Sequence, residues 1–326
     1  MTAQDYIQSK LEELRQPDGL CILENNGEIE RAVFKALMSK KFRKYSVDKA
    51  LEQHIKQAIH LHVENNEPIN ITFVHGAYKL WRLQESPEVD WAELFSLMYY
   101  TKWVKVICEV HKPGVWFDFF LDDLIISRLN NIDVAEIHKY IKSYQELMDF
   151  LKQYQPSNLH MTITPVTSRF DSETAFYEDV DEKLQKITAN GPDGLSACVD
   201  PPTKEAVELN VRLTDQQRQD PKWAEKVCLL YNAYIMARSE LGYCNNPEKI
   251  LAACQPRPSG TRISVGSTKD SVMKFWIGAG VLKKRDGSYR RIIHSSNQLD
   301  AGAYNFEDVN IKGLSGKNFQ KIRIAK

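Results

Sequence analysis

Three short runs rich in β-branched and aromatic residues, Ile69 to His75, Val115 to Leu121 and Leu159 to Val166, constrain this chain most. Between them lie two apolar stretches of helical period, Trp91 to about Val110 and Asp133 to Tyr154. A strand, a helix long enough to cross back over a sheet, and a second strand make up the unit that builds parallel sheets. Two such units in succession predict an α/β fold, a layered Rossmann-like domain.

The flanks read differently. Ala3 to Arg15, Gly27 to Tyr45, and Val47 to Asn65 behind a Ser46 cap read as helices, and so form a helical N-terminal layer over residues 1–65. The α/β core is expected over 66–256. Its later part reads as helices at Asp171 to Ala189, Pro202 to Gln217 and Trp223 to Leu241, with a turn at Asn190 to Gly194. Residues 257–326 read as a β-rich C-terminal extension of the same domain, with short strands at Thr261 to Val265, Val272 to Ile277 and Ser288 to Ile293, the last after an Asp286-Gly287 turn.

Charge singles out that extension. The 326 residues hold 43 Lys+Arg and 43 Asp+Glu, yet 257–326 hold 14 basic and five acidic residues, a net of +9, which leaves −9 for the rest. A basic end faces an anion, whether nucleic acid, a phosphorylated metabolite or the protein's own acidic half. The zero overall balance argues against general affinity for polyanions, so nucleic acid is not the expected partner. With 43% apolar residues and no long apolar run, neither disorder nor a membrane span is expected. Six cysteines without C-x-x-C spacing read as reduced, and the polar start carries no signal-peptide pattern, so a cytoplasmic location is expected. The sequence leaves the oligomeric state open.

Ligands of open α/β sheets gather at the carboxyl ends of strands, which draws attention to the loop after the first strand. There Lys79 and Arg82 offer positive charge to a phosphate or carboxylate, His75 offers a proton carrier, and Tyr78 and Trp81 offer aromatic surface; the competing reading is a surface loop under a packed tryptophan. Asp90 to Glu93 has the spacing of a capping box, with a binding role for Glu93 as the alternative. Asp122 and Asp123 end the second strand, where one is expected to cap the next helix and the other to serve a site. In the basic end, Arg262 and Ser264 share one face of a strand and, with Lys274 of the next, outline a phosphate pocket or simply a solvated sheet face. The histidines form no convincing metal site: His60 and His62 are two apart on a helix, and His62-Val63-Glu64 sits at a helix end. Walker, dinucleotide-binding and G-x-S-x-G motifs are absent.

The order of these pieces resembles the isocyanide (isonitrile) synthase family. The aromatic-x-Lys loop resembles Ala77-Tyr78-Lys79, the P-D-x-x-E helix start Val89 to Glu93, and the Y-x-P-G turn His111 to Gly114. The S-D-G strand end is similar to Leu121-Asp122-Asp123, which a hydrophobic pair, Ile125-Ile126, and a helix bearing Tyr140 and Tyr144 follow. Further on, Arg262 to Gly266 is similar to R-x-S-x-H. The chain is a divergent member by this reading: His111 stands for tyrosine, Asp123 for glycine and Gly266 for histidine. The resemblance implies an enzyme that joins an amino acid amine, aromatic by preference, to a ketose phosphate such as ribulose 5-phosphate, without metal or other cofactor. It implies His75, Lys79, Glu93 and Asp122 as catalytic groups, and Arg82, Tyr78, Trp81, Asp123, Arg262, Ser264 and Lys274 as substrate-binding ones. Two other classes stand beside it: a metal-dependent sugar-transferring enzyme using Asp122 and Asp123, and a non-catalytic binder of RNA or another polyanion through the basic end.

Overall fold

In a computed structural model the three β-branched runs form strands β1 (Ile69–His75), β2 (Val115–Leu121) and β3 (Leu159–Pro165). The structure describes residues 1–76, 78–83, 85–189, 211–212, 214–238, 246–254, 261–266 and 275–326, with backbone alone at 78, 124–126, 217–218, 221–225 and 238. With β4 (Ile250–Ala253) and β5 (Ile263–Ser264) the strands make a wholly parallel sheet in the order β3-β2-β1-β4-β5. Chain direction across the sheet therefore reverses between β1 and β4, the point where open α/β sheets leave a crevice for ligands.

Helices cover both faces of this sheet. α1 (Ala3–Arg15), α2 (Asn26–Leu37), α3 (Lys49–Glu64), α4 (Trp91–Val110) and α6 (Val134–Leu151) share one core with β1 to β3, which holds Phe73, Phe117 and Phe119. α5 (Asp123–Asn130) follows β2 directly. α7 (Glu173–Ala189) packs with a later helix, α9 (Pro221–Arg238), against Phe120 and Leu251 on the opposite face; the short α8 (Asp215–Gln219) precedes it. α4 is central: 17 of its 20 residues are buried, as expected of a helix apolar all round.

The side of α4 away from the parallel sheet meets a second sheet, ordered β7-β6-β9-β8, from β6 (Gly278–Arg285), β7 (Ser288–Ser295), β8 (Tyr304–Asp308) and β9 (Lys321–Ala325). A short helix, α10 (Ser296–Ala301), joins β7 to β8. β6 pairs antiparallel with β7 and parallel with β9. It crosses α4 so closely that a Cβ on Gly280 would fall 2.4 Å from the Cβ of Trp91, so only glycine fits there.

Several sequence expectations are corrected. The second helix stops at Leu37 because the chain beyond it pairs with β5: Lys44 N–H donates to Ser264 O at 2.8 Å and Gly266 N–H to Phe42 O at 2.7 Å. Asp48, not Ser46, caps α3 through Leu51 N–H. Phe275 to Ile277 form a 3-10 turn rather than a strand, since the rings of Phe275 and Trp276 turn toward His75. The expected Asn190 to Gly194 turn, most of the Pro202 to Gln217 helix, residues 239–241 of the next, and Val272 to Lys274 lie outside the described residues. No helix among the described residues is long and apolar enough to cross a membrane.

Candidate functional site

A 3-10 turn, Tyr78–Trp81, leaves β1 and carries Lys79 inward rather than out to solvent. Its ammonium is fully buried and spends all three donors on two carboxylates: Asp90 Oδ2 at 3.0 Å, Glu93 Oε1 at 2.8 Å and Glu93 Oε2 at 2.7 Å. Asp90 is the N-cap of α4 and Glu93 lies in its first turn, and the two form the expected capping box, with Asp90 accepting from Ala92 N–H and Glu93 Oε2 from Asp90 N–H at 2.9 Å. The cap and the ion cluster are thus built from the same side chains. Tyr140 of α6 donates to Glu93 Oε1 at 3.1 Å, and Gly280 N–H of β6 reaches Asp90 Oδ1 at 3.2 Å. Four separate segments therefore meet in one dry cluster holding one positive and two acidic groups.

That imbalance tunes the cluster. Burial pushes the Glu93 carboxyl up to about 7; Lys79 pulls against this, and the adjacent Asp90 adds to it. Burial by itself would lower the Lys79 ammonium, but Asp90 and Glu93 together hold it above the usual lysine range. Burial, and next the charge of Glu93, raises the Tyr140 hydroxyl well above ordinary tyrosine. A carboxyl poised near neutrality beside a fixed cation and a hydroxyl can take up and return a proton.

Next to this cluster lies an aromatic chamber at the carboxyl end of β1. Tyr140 stacks on Tyr144 at 5.9 Å, and Tyr144 lies 6.0 Å from the ring of His75. His75, Tyr144 and Tyr100 all pack on Phe119, at 6.1, 5.6 and 5.5 Å, while Phe275 closes on His75 at 5.0 Å. His75 Nδ1 meets Gly76 O at 3.1 Å, and burial lowers the imidazole to about 4, so the ring is neutral. Among the described residues its Nε2 has no partner, nor have the hydroxyls of Tyr100 and Tyr144 or the indole N–H of Trp81. Buried polar atoms without partners each cost roughly 1–3 kcal/mol, and their concentration in one place marks where a ligand would complete the bonding.

The remaining sequence candidates separate. Arg82 is half-buried with its guanidinium 4.0 Å over the Trp81 ring. The Tyr78 side chain and all of Lys274 lie outside the described residues. Asp122 is buried and its N–H donates to His75 O at 3.0 Å, which ties the ends of β1 and β2 together. It occupies the N-cap position of α5, but its side chain makes no capping bond. Asp123 is held at both oxygens by Thr167, at its N–H and hydroxyl, so the two aspartates do not face a shared point as a metal pair. Ser264 is buried in β5 and Arg262 half-buried just before it; Phe73, Ala252 and Ile263 stand in register, which puts this pair two strands, roughly 10 Å, from β1. The reading of Lys79 as an anion ligand is corrected, because its donors are all used within the cluster.

Tyr140 and Tyr144, part of the motif order above but not expected as site groups, join the site together with Tyr100. The signal was the 140/144 spacing on the inward face of α6, where two hydroxyls sit among Ile137, Leu147 and Met148 and need partners that the apolar stripe does not supply.

Fold and site together define a Rossmann-like α/β protein with a buried Lys-Asp-Glu-Tyr cluster at the reversal point of a parallel sheet. No protein-family model matches the chain, and no curated protein matches it in sequence. Among solved structures it is similar to the PvcA protein from Pseudomonas aeruginosa, with a TM-score of 0.59 over 91% of this chain and 99% of that one, at 16% identity. At that identity the likeness is one of fold.

Proposed function

We propose that this chain is an isonitrile-forming enzyme that joins the amine of an amino acid, aromatic by preference, to a ketose phosphate such as ribulose 5-phosphate. The observation that carries the reading is the buried Lys79-Asp90-Glu93-Tyr140 cluster set against a chamber of unpartnered polar atoms. The order of motifs similar to isocyanide synthases supports it, since Lys79, Asp90, Glu93 and the tyrosine-bearing helix are the pieces that carry that resemblance. The PvcA-like fold supports it too, as a scaffold that gathers these pieces at one sheet end.

In this reaction the amine adds to the sugar ketone and water leaves, giving an imine. Proton removal and cleavage of both carbon–carbon bonds at the former ketone carbon then leave that one carbon on nitrogen, with the hydroxymethyl arm departing as formaldehyde and the other arm as a three-carbon fragment that expels its phosphate. Glu93, near neutrality, is the group suited to take and return protons, and Tyr140 shares that proton through its hydrogen bond. Lys79 and Asp90 position the carboxyl and set its charge. His75, neutral throughout the working range, presents Nε2 to the substrate, while Phe119, Phe275 and Trp276 form the dry wall for a ring. Arg82, Arg262, Ser264 and Lys274 are the proposed phosphate ligands, Tyr78 and Trp81 the covering aromatics, and Asp122 the second polar group at the strand ends. Asp123 is kept as a binding residue only through the position its bond to Thr167 fixes.

The test is turnover of aromatic amino acids with carbon-labelled ribulose 5-phosphate, followed by mass spectrometry. One labelled carbon attached to the substrate nitrogen, formed equally with a chelator present, supports the reading. Turnover abolished by chelation, or no label transferred to any aromatic amine, overturns it. Arg262→Lys keeps charge but loses the two-pronged fork, so it is expected to weaken sugar-phosphate binding by about 1–3 kcal/mol in calorimetry.

A further inference from the structure

A groove of about 360 Å³ runs between α6 and the segment Gly313 to Phe319, on the outer side of the loop that carries Asp90. Lys139 and Lys142 rise from α6 on one wall and Lys317 from the other. None of the three is ion-paired among the described residues, although other surface lysines, such as Lys56 with Glu52 and Lys152 with Asp149, are. Beside Lys317, the backbone N–H groups of Ser315 and Gly316 donate to no protein acceptor among the described residues. Gly313 and Gly316 hold the loop in positive-φ conformations, at 84° and 115°. The floor is apolar, formed by Leu147, Phe150 and Phe319, and Glu88 and Glu146 stand at the rim.

We propose that this groove binds a phosphomonoester of nucleotide size, with the phosphate among the three lysines and the 315–317 backbone, and an aromatic ring on the apolar floor. Three ammonium groups over one concavity leave a positive potential that the two rim glutamates offset only in part, and N–H groups without a protein acceptor suit phosphate oxygens. The two glutamates accept from sugar hydroxyls, which a bare phosphate or a lipid tail would not offer. The volume lies at the lower end of the range for small-molecule sites. This site is separate from the buried cluster. It nevertheless touches the cluster's supports: Val89 and Ser143 both line it, Val89 N–H donates to Ser143 Oγ at 2.9 Å, and Asn318 holds the carbonyl of Val89 at 3.1 Å.

The test is calorimetry of adenosine 5′-monophosphate with the full chain, with adenosine and inorganic phosphate as separate ligands. The expected result is one site per chain, with both partial ligands much weaker and affinity falling at least about tenfold in the Lys142→Ala/Lys317→Ala double variant. Lys112→Ala, an exposed lysine elsewhere, should leave affinity unchanged. Absence of binding at millimolar nucleotide overturns the proposal, as does an equal loss in Lys112→Ala. Loss in Arg82→Ala or Arg262→Ala, with the lysine variant unaffected, would place the nucleotide at the strand ends and also overturn it.

Discussion

Glu93 concentrates the chemistry because it is asked to do three things at once: cap a helix, balance Lys79 and accept from Tyr140. Its neighbours should move its titration in opposite directions. Tyr140→Phe removes a donor that favours the charged form, so the limb of the pH–rate profile near 7 should rise; Asp90→Asn removes a repelling charge, so the limb should fall. Both are read from kcat/KM against pH, with turnover in Tyr140→Phe down by about 10- to 100-fold. His75 makes a separate prediction about stability. Its folded value of about 4 lies below the ordinary 6.5, so the unfolded chain takes the proton first. Its contribution is present above 6.5 and is lost as pH falls toward 4, whereas Glu93, raised, contributes stability at low pH that is lost as pH rises through 7. The two oppose each other between these values. Comparing urea unfolding of wild type with His75→Phe isolates the histidine, and the difference should move in the variant's favour by on the order of 2 kcal/mol between pH 7 and pH 4.5. A difference independent of pH would mean the imidazole is solvated. Residue types at this scale were legible in part: Lys79, Glu93 and His75 stood out beside a strand end, but Tyr140 looked like one more inward ring of an apolar helix face.

Among the elements, α4 joins the two sheets, and its first turn is the junction. Gly280→Ala should push β6 off Trp91 and cost about 1–3 kcal/mol or more by overpacking, measured by thermal unfolding. Asp90→Ala should cost about 0.5–2 kcal/mol from the lost cap, and more because it leaves Lys79 facing Glu93 alone, while Asp90→Asn should retain the cap share. The elements best read from sequence were those whose period and caps agree with their burial: Trp91 to about Val110 agrees with α4, and Val115 to Leu121 matches β2 to the residue. Those misread were decided by distant contacts. The chain after Leu37 keeps a helical composition but pairs with β5, and Phe275 to Ile277 has strand composition but turns toward His75. Strands β8 and β9 gave little local signal, because each is only five residues long and β8 buries none of its side chains fully.

At the scale of the whole molecule, the parallel sheet sets the strand ends, α4 brings two acids to the first of them, and the second sheet closes the cluster from behind through Gly280. Half of the basic residues detected in the C-terminal part lie in this second sheet, where Lys283, Lys284 and Arg285 are exposed, Arg291 lies against Phe95 and Arg323 pairs with Glu85, so the net charge of +9 is a poorer guide to the site than the single buried lysine. The central claim is that the buried cluster is the catalytic centre. Glu93→Gln tests it cleanly, because the amide keeps the shape and leaves Lys79 and Asp90 as a balanced pair, so the fold should persist by circular dichroism. The decisive measurement is transfer of labelled carbon from ribulose 5-phosphate to the amine of an aromatic amino acid, by wild type and by Glu93→Gln. Transfer by wild type and a loss of about 100-fold or more in the variant is the predicted result. Equal transfer by both proteins would contradict it.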